Sequence, residues 1–219
     1  MIYTVFSFVN NKDCHKLWQS STEYSDSLSS EKFLDKSWLI KAERQLANLL
    51  LTIGLDKFFS VKEWDIEIDS HGKPRLVNYT YDGVIHINVS HSLGAVAVCL
   101  SDTNELGVDI QTEIDPNVQE RLEKRFFKDV KVSNQPLGVR YFTLSDDGDL
   151  SDVTLNSPND SFDFTDKWAY SESVMKCDGS GFLVSSGVKE ISKEFVTEIK
   201  KITTEKKAFS IAISTKKPL

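Results

Sequence analysis

The amino-acid sequence predicts an α+β fold of two similar halves, each a long helix packed on a small, mainly antiparallel sheet. One observation is that each half carries a long helix-forming span, at residues 36–51 and at about residues 165–179. Another is that short apolar runs, rich in β-branched and aromatic residues, flank both spans. Because this order of elements is alike in the two halves, we expect a pseudo-two-fold relation between them, although the sequence has no close internal repeat.

Turn residues separate the apolar runs and so delimit the strands. The predicted strands are residues 1–9, 64–68, 83–89, 94–100, 107–111, 182–185, 194–202 and 208–214. We expect the polar segment Ser90-His91-Ser92 to connect two of these strands. The halves divide as residues 1–105 and 106–219, so the sequence predicts an N-terminal lobe and a C-terminal lobe.

The helices are predicted from apolar periodicity and from their end residues. The first long helix contains Arg44, and a shorter helix is expected at residues 117–127. Thr165 or Asp166 can cap the second long helix, and Gly179 can end it. Between these helices, residues 131–166 are rich in Asp and Ser and have few periodic apolar positions, which predicts a surface excursion or a partly disordered loop.

Composition excludes several classes of function. The chain has 219 residues and 40% hydrophobic content, enough for a sizeable core. Its three cysteines and four scattered histidines support neither a disulfide framework nor a structural zinc site. A net charge of -7 argues against nucleic-acid binding. No run approaches the ~20 apolar residues of a membrane span, and no leader pattern is present. We therefore expect a cytoplasmic protein.

Three charged residues stand out against this background. Asp109 interrupts the strand-like apolar run at residues 106–110, where a carboxylate is costly without a counter-ion. Glu172 and Lys176 lie four residues apart and so share one face of the predicted helix. Such Glu-Lys pairs are usually solvated ion pairs. Beside Asp109, however, they suggest a divalent cation and a phosphate in a single site.

Five segments, taken in chain order, resemble the 4'-phosphopantetheinyl transferase superfamily, and more closely its Sfp-like branch of single-chain, two-lobed enzymes. These segments are Gly72-Lys73-Pro74, Asn88 to Ser92, Gly107 to Ile110, Arg125-Phe126-Phe127, and Trp168 to Lys176 with Gly179 and Gly181. Each is a weak signal alone, and their shared order carries the resemblance. They span residues 72–181, and the helix that contains Arg44 is compatible with the same family.

The resemblance implies a Mg²⁺-dependent enzyme that transfers the 4'-phosphopantetheine arm of coenzyme A to a serine of an apo acyl or peptidyl carrier protein. Adenosine 3',5'-bisphosphate would be released, and the carrier would serve fatty-acid or secondary-metabolite synthesis. Coenzyme A would lie in a cleft between the lobes. Because one chain supplies both sides of that cleft, we expect a monomer.

The resemblance also implies roles for individual residues. Asp109, Glu172 and Gln111 would hold the metal, and Asp109, Glu172 and Lys176 would be catalytic. The coenzyme A contacts would come from Arg44, Lys73, Ser90, His91 and Lys176. Simpler readings stay open for two of them, because Lys73 can be a solvated turn residue and His91 a structural histidine.

Two departures from the family pattern keep alternatives open. Gln111 stands where many members have an acidic residue, and Ser171 stands where the family commonly has lysine. A catalytically weakened protein that binds coenzyme A or a carrier on the same scaffold is therefore the second hypothesis. An unrelated metal-dependent hydrolase that uses Asp109 and Glu172 is the third. The base that accepts the serine proton stays open between Glu172, a metal-bound water and Glu113.

Overall fold

Three α-helices and ten strands form the described part of the computed structural model. The structure describes residues 1–9, 36–70, 72–127, 130–144, 148–159, 161–179, 192–205 and 207–217. The helices are α1 (Lys36–Phe59), α2 (Pro116–Leu122, continued by a π-helical turn at Glu123–Phe127) and α3 (Phe164–Asp178). The strands are β1 (Ile2–Phe8), β2 (Asp65–Ile68), β3 (Pro74–Val77), β4 (His86–Ser92), β5 (Ala95–Ser101), β6 (Leu106–Thr112), β7 (Arg140–Leu144), β8 (Leu150–Val153), β9 (Phe195–Thr203) and β10 (Ala208–Lys216).

The strands form two main sheets and one hairpin. The first sheet has five strands in the order β4-β5-β1-β7-β8, and the second has three in the order β6-β10-β9. All pairs are antiparallel except β1 with β7. Strands β2 and β3 pair as a separate hairpin. The mixture of helices with mainly antiparallel sheets confirms the predicted α+β class.

The helices and main sheets stack in four layers, in the order α1, first sheet, second sheet, α3. The core between α1 and the first sheet includes Leu46, Leu50 and Val98. A second cluster fills the space between the two sheets, and a third lies between the second sheet and α3. Each sheet is thus buried on both faces, and its strands contain few solvent-facing positions.

Helix α1 extends two turns beyond its predicted end at residue 51 and reaches Phe59. The extension includes Gly54, an ordinarily poor helix former. A Cβ atom at Gly54 would lie 2.7 Å from Cδ1 of Leu100 in β5. The glycine therefore allows the helix to approach the sheet closely, and packing of the apolar face outweighs its low helix propensity.

Several sequence predictions need correction. The excursion predicted at residues 131–166 contains β7 and β8, which extend the first sheet beyond β1. The strands have apolar positions of their own, including Phe142 and Leu144 in the core. The predicted connection Ser90-His91-Ser92 is wrong, because these residues belong to β4 and the turn lies at Leu93 and Gly94.

The N-terminus of α3 also differs from the prediction. The cap is Asp163, which forms a capping box with Asp166, and Gly179 ends the helix as predicted, in the left-handed conformation. The strand predicted at residues 182–185 and the motif residue Gly181 lie outside the described residues. Within the described ranges, no helix combines the length and apolar character needed to cross a membrane.

Candidate functional site

The predicted site lies where the edges of the two main sheets meet. Strand β4 is an edge of the first sheet and β6 is an edge of the second. The Val108 amide donates to the side-chain oxygen of Asn88 at 2.9 Å, and the Ile110 amide donates to the Ser90 hydroxyl at 3.2 Å. Side chains of β4 thus satisfy backbone donors of β6, as a buried sheet edge requires. We call this contact between β4 and β6 the seam.

Three of the predicted site residues contact one another at the seam. The Ser90 hydroxyl donates to Asp109 Oδ1 at 2.8 Å. The Lys176 ammonium donates to the same carboxylate oxygen at 2.8 Å and to the Ser90 hydroxyl at 2.9 Å. A hydroxyl has one hydrogen and two lone pairs, so the contacts with Asp109, Lys176 and Ile110 use all the capacity of Ser90.

Asp109 retains unused hydrogen-bonding capacity. Its side chain is 6% exposed, and Oδ2 is buried with no hydrogen-bond partner among the residues that the structure describes. A buried carboxylate oxygen without a partner is unfavourable by about 1–3 kcal/mol or more. Its chemistry fits a hard cation, which prefers oxygen ligands.

Helix α3 is held against β6 by a close backbone approach. A Cβ atom at Gly107 would lie 2.1 Å from the Ser173 carbonyl oxygen and 2.4 Å from the Cys177 amide nitrogen. Any side chain at this position would push the helix away from the strand. Gly107 therefore brings the face of α3 that carries Lys176 within reach of Asp109, two residues further along β6.

Glu172 lies one turn before Lys176 on α3 and is partly buried. Burial, and to a smaller extent the charge of Asp109, raise the pKa of Glu172 to about 7 against the opposing charge of the Lys176 ammonium. Glu172 is thus electrostatically coupled to both other charges of the site. A carboxyl group near its protonation midpoint at neutral pH can gain or lose a proton readily.

Gln111 completes the set of predicted metal ligands. It lies two residues beyond Asp109 and so on the same face of β6. Its amide nitrogen donates to the Thr112 carbonyl oxygen at 3.0 Å, and its side-chain oxygen can accept or ligate. In the described part of the chain, no group of three His, Cys, Asp or Glu side chains is arranged to hold a metal. A metal here would have two carboxylates and one amide.

Lys73 contacts the same helix from the first half of the chain. Its ammonium donates at 3.2 Å to the carbonyl oxygen of Cys177, the residue that follows Lys176. Lys73 also lines a cavity of about 270 Å³, together with Arg75, Tyr79 and His86. Burial lowers the pKa of His86, Glu105 opposes the effect, and the charges of Lys73 and Arg75 add to it. The lining thus combines two cations and an aromatic ring with two carboxylates, Glu67 and Glu105.

The remaining two predicted residues lie apart from this cluster. His91 follows Ser90 on β4, so the two side chains project to opposite faces. His91 Nδ1 donates to Glu43 of α1 at 2.8 Å. Arg44 is exposed on α1, and within the described ranges no hydrogen bond or ion pair joins it to Asp109, Ser90 or Lys176.

Sequence reasoning gave no role to two residues that build the site. Asn88, part of a motif segment, accepts from the Val108 amide of β6, and Glu43 is the partner of His91. A signal for Glu43 exists in the sequence. It lies at the helical spacing of Leu39, Leu46 and Leu50, so a carboxylate falls on the apolar face of α1. A buried carboxylate needs a donor, and that need would have singled it out.

The cluster has a limited chemical repertoire. A Ser-Lys contact can generate a nucleophile when the lysine is neutral and the hydroxyl accessible. Here Lys176 is paired with a carboxylate, and Ser90 is 3% exposed with its hydroxyl fully bonded. The arrangement instead suits holding a cation and an anion side by side.

The chain matches none of the protein-family models with which it was compared, and no curated protein matches it.

Proposed function

We propose that this protein transfers the 4'-phosphopantetheine arm of coenzyme A to a serine of an apo acyl or peptidyl carrier protein. The observation that carries the proposal is the grouping of Asp109, Glu172 and Lys176 at the seam, with Asp109 Oδ2 buried and unpartnered among the described residues. A cation-binding oxygen and a phosphate-binding ammonium side by side are what transfer of a diphosphate ester requires.

The donor set fits Mg²⁺, which is commonly held by one or two carboxylates together with substrate phosphate oxygens. Asp109 and Glu172 would hold it, with Gln111 contributing an amide oxygen. When bound, the metal supplies positive charge that stabilises the negative charge developing on the diphosphate. Lys176 supplies a second positive charge there, because its ammonium is already held beside Asp109.

The reaction joins the carrier serine oxygen to the β-phosphorus of coenzyme A and breaks the bond from that phosphorus to the bridging oxygen. Adenosine 3',5'-bisphosphate leaves, and the serine proton must be accepted. Of the candidate bases, Glu172 fits best, because it lies at the seam and burial raises its pKa to about 7 in the metal-free protein, a value that a bound cation would lower. Glu113 is exposed beyond the end of β6 and is a weaker candidate.

The cavity beside Lys73 is the proposed site of the adenosine end of coenzyme A. Strand β4 runs from His86, which lines the cavity, to Ser90, which contacts Asp109. Four strand residues span roughly 13 Å, a distance that an extended nucleotide diphosphate can bridge. Lys73 provides positive charge for the 3'-phosphate, and Arg75, which also pairs with Asp69 at 3.3 Å, adds to it.

A pseudo-two-fold relation between the lobes belongs to the same proposal. In the first half, β1 precedes α1 and then the β4-β5 hairpin, with sheet order β4-β5-β1. In the second half, β6 precedes α3 and then the β9-β10 hairpin, with sheet order β9-β10-β6. The like order supports two related lobes with the site between them. One chain then supplies both sides of the site, so we take the active form to be a monomer.

The two departures from the family pattern support a second candidate, a protein that binds coenzyme A or a carrier but transfers slowly. Gln111 adds no negative charge for the metal. Ser171 is fully buried and its hydroxyl donates to the Lys167 carbonyl oxygen at 2.8 Å. A lysine at position 171 would be buried inside the core beside α3. Gln111→Glu is therefore the informative substitution, since it restores the charge without disturbing the core.

Intact-protein mass measurement tests the proposal. The protein, coenzyme A, Mg²⁺ and an apo carrier should give a carrier heavier by one phosphopantetheine group. Asp109→Asn should greatly slow formation of this product, while Asp152→Asn, at an exposed pair with Arg140, should not.

Failure to modify any of several fatty-acid and peptide-synthetase carriers would overturn the transfer reaction. Coenzyme A binding without transfer, with transfer appearing in Gln111→Glu, would establish the second candidate. Release of phosphate from coenzyme A without a carrier would instead support the hydrolase hypothesis.

A further inference from the structure

The two carboxylate oxygens of Asp109 have different surroundings. Oδ1 accepts from the Ser90 hydroxyl and from the Lys176 ammonium, each at 2.8 Å. Oδ2 is buried and has no hydrogen-bond partner among the residues that the structure describes. The two donors therefore fix the direction of the carboxylate, so that one oxygen faces them and the other stays open.

The hydrogen of the Ser90 hydroxyl can be assigned from its neighbours. The hydroxyl contacts Asp109 Oδ1 at 2.8 Å, the Lys176 ammonium at 2.9 Å and the Ile110 amide at 3.2 Å. An ammonium and a backbone N–H are donors only, so they take the two lone pairs of the hydroxyl. Its single hydrogen is left for Oδ1 of Asp109.

Ser90 is held in place more firmly than Lys176. It is 3% exposed and bonds the backbone of β6 at Ile110, the residue that follows Asp109. Lys176 has a long side chain that is 29% exposed, and its charge repels a cation. When a cation binds Oδ2, the neutral hydroxyl of Ser90 can therefore stay on Oδ1, whereas the ammonium is driven away.

The same contacts make Ser90 poorly suited to bind coenzyme A directly, which is the role that the family resemblance implies. A phosphate oxygen accepts hydrogen bonds, and the one hydrogen of Ser90 is committed to Asp109. The side chain is also buried between β4 and β6. A phosphate would have to open the seam and displace Asp109 in order to reach the hydroxyl.

Asn88 shows what support of the sheet edge alone requires. It lies two residues before Ser90 on β4, and its side-chain oxygen accepts from the Val108 amide at 2.9 Å. An acceptor is sufficient for that contact. At position 90 the side chain also donates, and the donated hydrogen goes to the carboxylate of Asp109. A hydroxyl at this position is thus explained by Asp109, and not by the backbone of β6 alone.

We propose that Ser90 is a positioning residue, which holds Oδ1 of Asp109 so that Oδ2 is presented to a divalent cation. The inference rests on the proposed transfer function, and it assigns Ser90 no contact with the substrate or the metal. Loss of a hydrogen bond that orients a metal ligand typically lowers metal affinity about 10–100-fold. A single buried hydroxyl would then decide how well the open oxygen of Asp109 binds its cation.

Two binding measurements separate this role from a direct contact with coenzyme A. Affinity for Mn²⁺, measured by electron paramagnetic resonance without coenzyme A, should fall about tenfold or more in Ser90→Ala. Affinity for coenzyme A, measured by calorimetry with a metal chelator present, should be unchanged. A direct contact would give the opposite pattern. The loss of Mn²⁺ affinity should persist when Ser90→Ala is added to Lys176→Met, because no ammonium is left there to compete for Asp109.

Further variants separate the hydroxyl from the seam. Asn88→Ala removes an acceptor from the same seam but no donor from Asp109, so it should lower Mn²⁺ affinity much less than Ser90→Ala. Ser157→Ala removes an exposed hydroxyl that bonds Lys200 and should have no effect. Ser90→Thr keeps the hydroxyl and should keep most of the affinity. Thermal unfolding checks that each variant folds. If Ser90→Ala does not, Ser90→Cys, whose thiol is a weak donor of similar shape, should show a smaller loss of the same kind.

The outcomes distinguish the positioning role from the transfer reaction. Unchanged Mn²⁺ affinity in Ser90→Ala would overturn the role of Ser90, and the proposed function would stand if the unaltered protein modifies a carrier. Equal losses in Asn88→Ala and Ser90→Ala would also overturn it, because they would reflect the seam and not the hydroxyl. Mn²⁺ binding that depends on Ser90, without transfer to any carrier, would support the positioning role and defeat the transfer reaction. If the unaltered protein binds no Mn²⁺ and modifies no carrier, both inferences fail.

Discussion

Near each end of helix α3 a lysine pairs with a buried aspartate, and the two pairs differ in how fully the aspartate is bonded. At the N-terminal end, Asp166 is 1% exposed. Its Oδ1 accepts from Lys201 and from the Ser210 hydroxyl, each at 2.7 Å, and its Oδ2 accepts from the Asp163 amide at 3.1 Å. Burial alone would lower the pKa of Lys201, but hydrogen bonds and charges from Asp163 and Asp166 raise it.

Towards the C-terminal end, Asp109 pairs with Lys176 through Oδ1, while Oδ2 has no partner in the described part of the chain. Glu172 adds a second acid whose pKa is raised to about 7. The N-terminal network is therefore closed, with every carboxylate oxygen of Asp166 satisfied. The C-terminal cluster is open, because it holds more negative charge than one lysine neutralises. A closed network stabilises the fold, whereas an open one is available to a ligand.

The largest expected difference between the two pairs is in stability. Asp166→Ala removes a buried carboxylate that bonds Lys201, Ser210 and the Asp163 amide and leaves Asp163 as the remaining acidic partner of Lys201. Breaking such a buried pair costs about 3–5 kcal/mol. Asp109→Ala also removes an unfavourable buried oxygen, and Lys176, at 29% exposure, can turn to water. We expect a loss of only about 1 kcal/mol there. Urea unfolding measures both free energies, and equal losses would contradict the distinction between closed and open networks.

The order reverses when activity is measured. Asp109→Asn keeps the shape of the side chain but removes the charge that would hold the cation in the proposed reaction. We expect transfer to the carrier to fall about 10²–10³-fold. Asp163→Asn, in the closed network and at a partly exposed cap, should retain most of the activity at a temperature where it is folded. A comparable loss in both variants would mean that stability, and not charge at the seam, sets the rate.

The sequence identified residues of the open cluster, but it did not show how the fold brings them together. Asp109 was identifiable because a charge inside an apolar strand needs a partner, and Glu172 with Lys176 because helical spacing fixes their common face. Helix α3 can lie close to β6 because position 107 is a glycine. A Cβ atom there would lie 2.1 Å from the Ser173 carbonyl oxygen, a contact that only the folded structure reveals. Such close approaches are tertiary and leave no local pattern.

The seam itself was not predictable, because its two strands belong to different sheets. Asn88 and Ser90 bond backbone amides of β6, and nothing in either strand specifies the other as its neighbour. Strands β7 and β8 were missed for a related reason. The Asp-rich composition of the segment around them outweighed their few apolar positions, although Phe142 and Leu144 are buried.

Glu172→Gln tests the open cluster through pH. In the folded protein the pKa of Glu172 is about 7, above the ordinary value of 4.5. Folding therefore favours the neutral form. The contribution of Glu172 to stability is greatest below pH 4.5 and is lost as the pH rises through about 7. At about 1.4 kcal/mol per pH unit, Glu172→Gln should stabilise the metal-free protein by at most roughly 3 kcal/mol at pH 8.5.

Thermal unfolding at several pH values checks this expectation. The gain from Glu172→Gln should disappear near pH 4, where the carboxyl of the unaltered protein is protonated in both states. Millimolar Mg²⁺ should also reduce the gain at pH 8.5, because the unaltered protein alone would bind it well. A destabilised Glu172→Gln at high pH, in the absence of metal, would contradict the raised pKa.

The smallest expected effect concerns competition between Lys176 and the metal. In the metal-free protein the Lys176 ammonium is 2.8 Å from Asp109 Oδ1 and so already neutralises much of the charge that a cation needs. Lys176→Met removes this competing charge at similar side-chain length. We expect affinity for Mn²⁺, measured by electron paramagnetic resonance without coenzyme A, to rise about tenfold.

Lys167→Met is the matched control for this prediction. Lys167 lies on the same helix but pairs with Glu123 at 2.9 Å, away from the seam, so its loss should leave Mn²⁺ affinity unchanged. Unchanged or weaker Mn²⁺ binding by Lys176→Met would mean that the ammonium does not share the carboxylate with the metal. Coenzyme A should reduce the advantage of Lys176→Met, because in the unaltered protein the diphosphate draws the ammonium away from Asp109. The lysine would then serve the substrate and release the carboxylate to the cation in one movement.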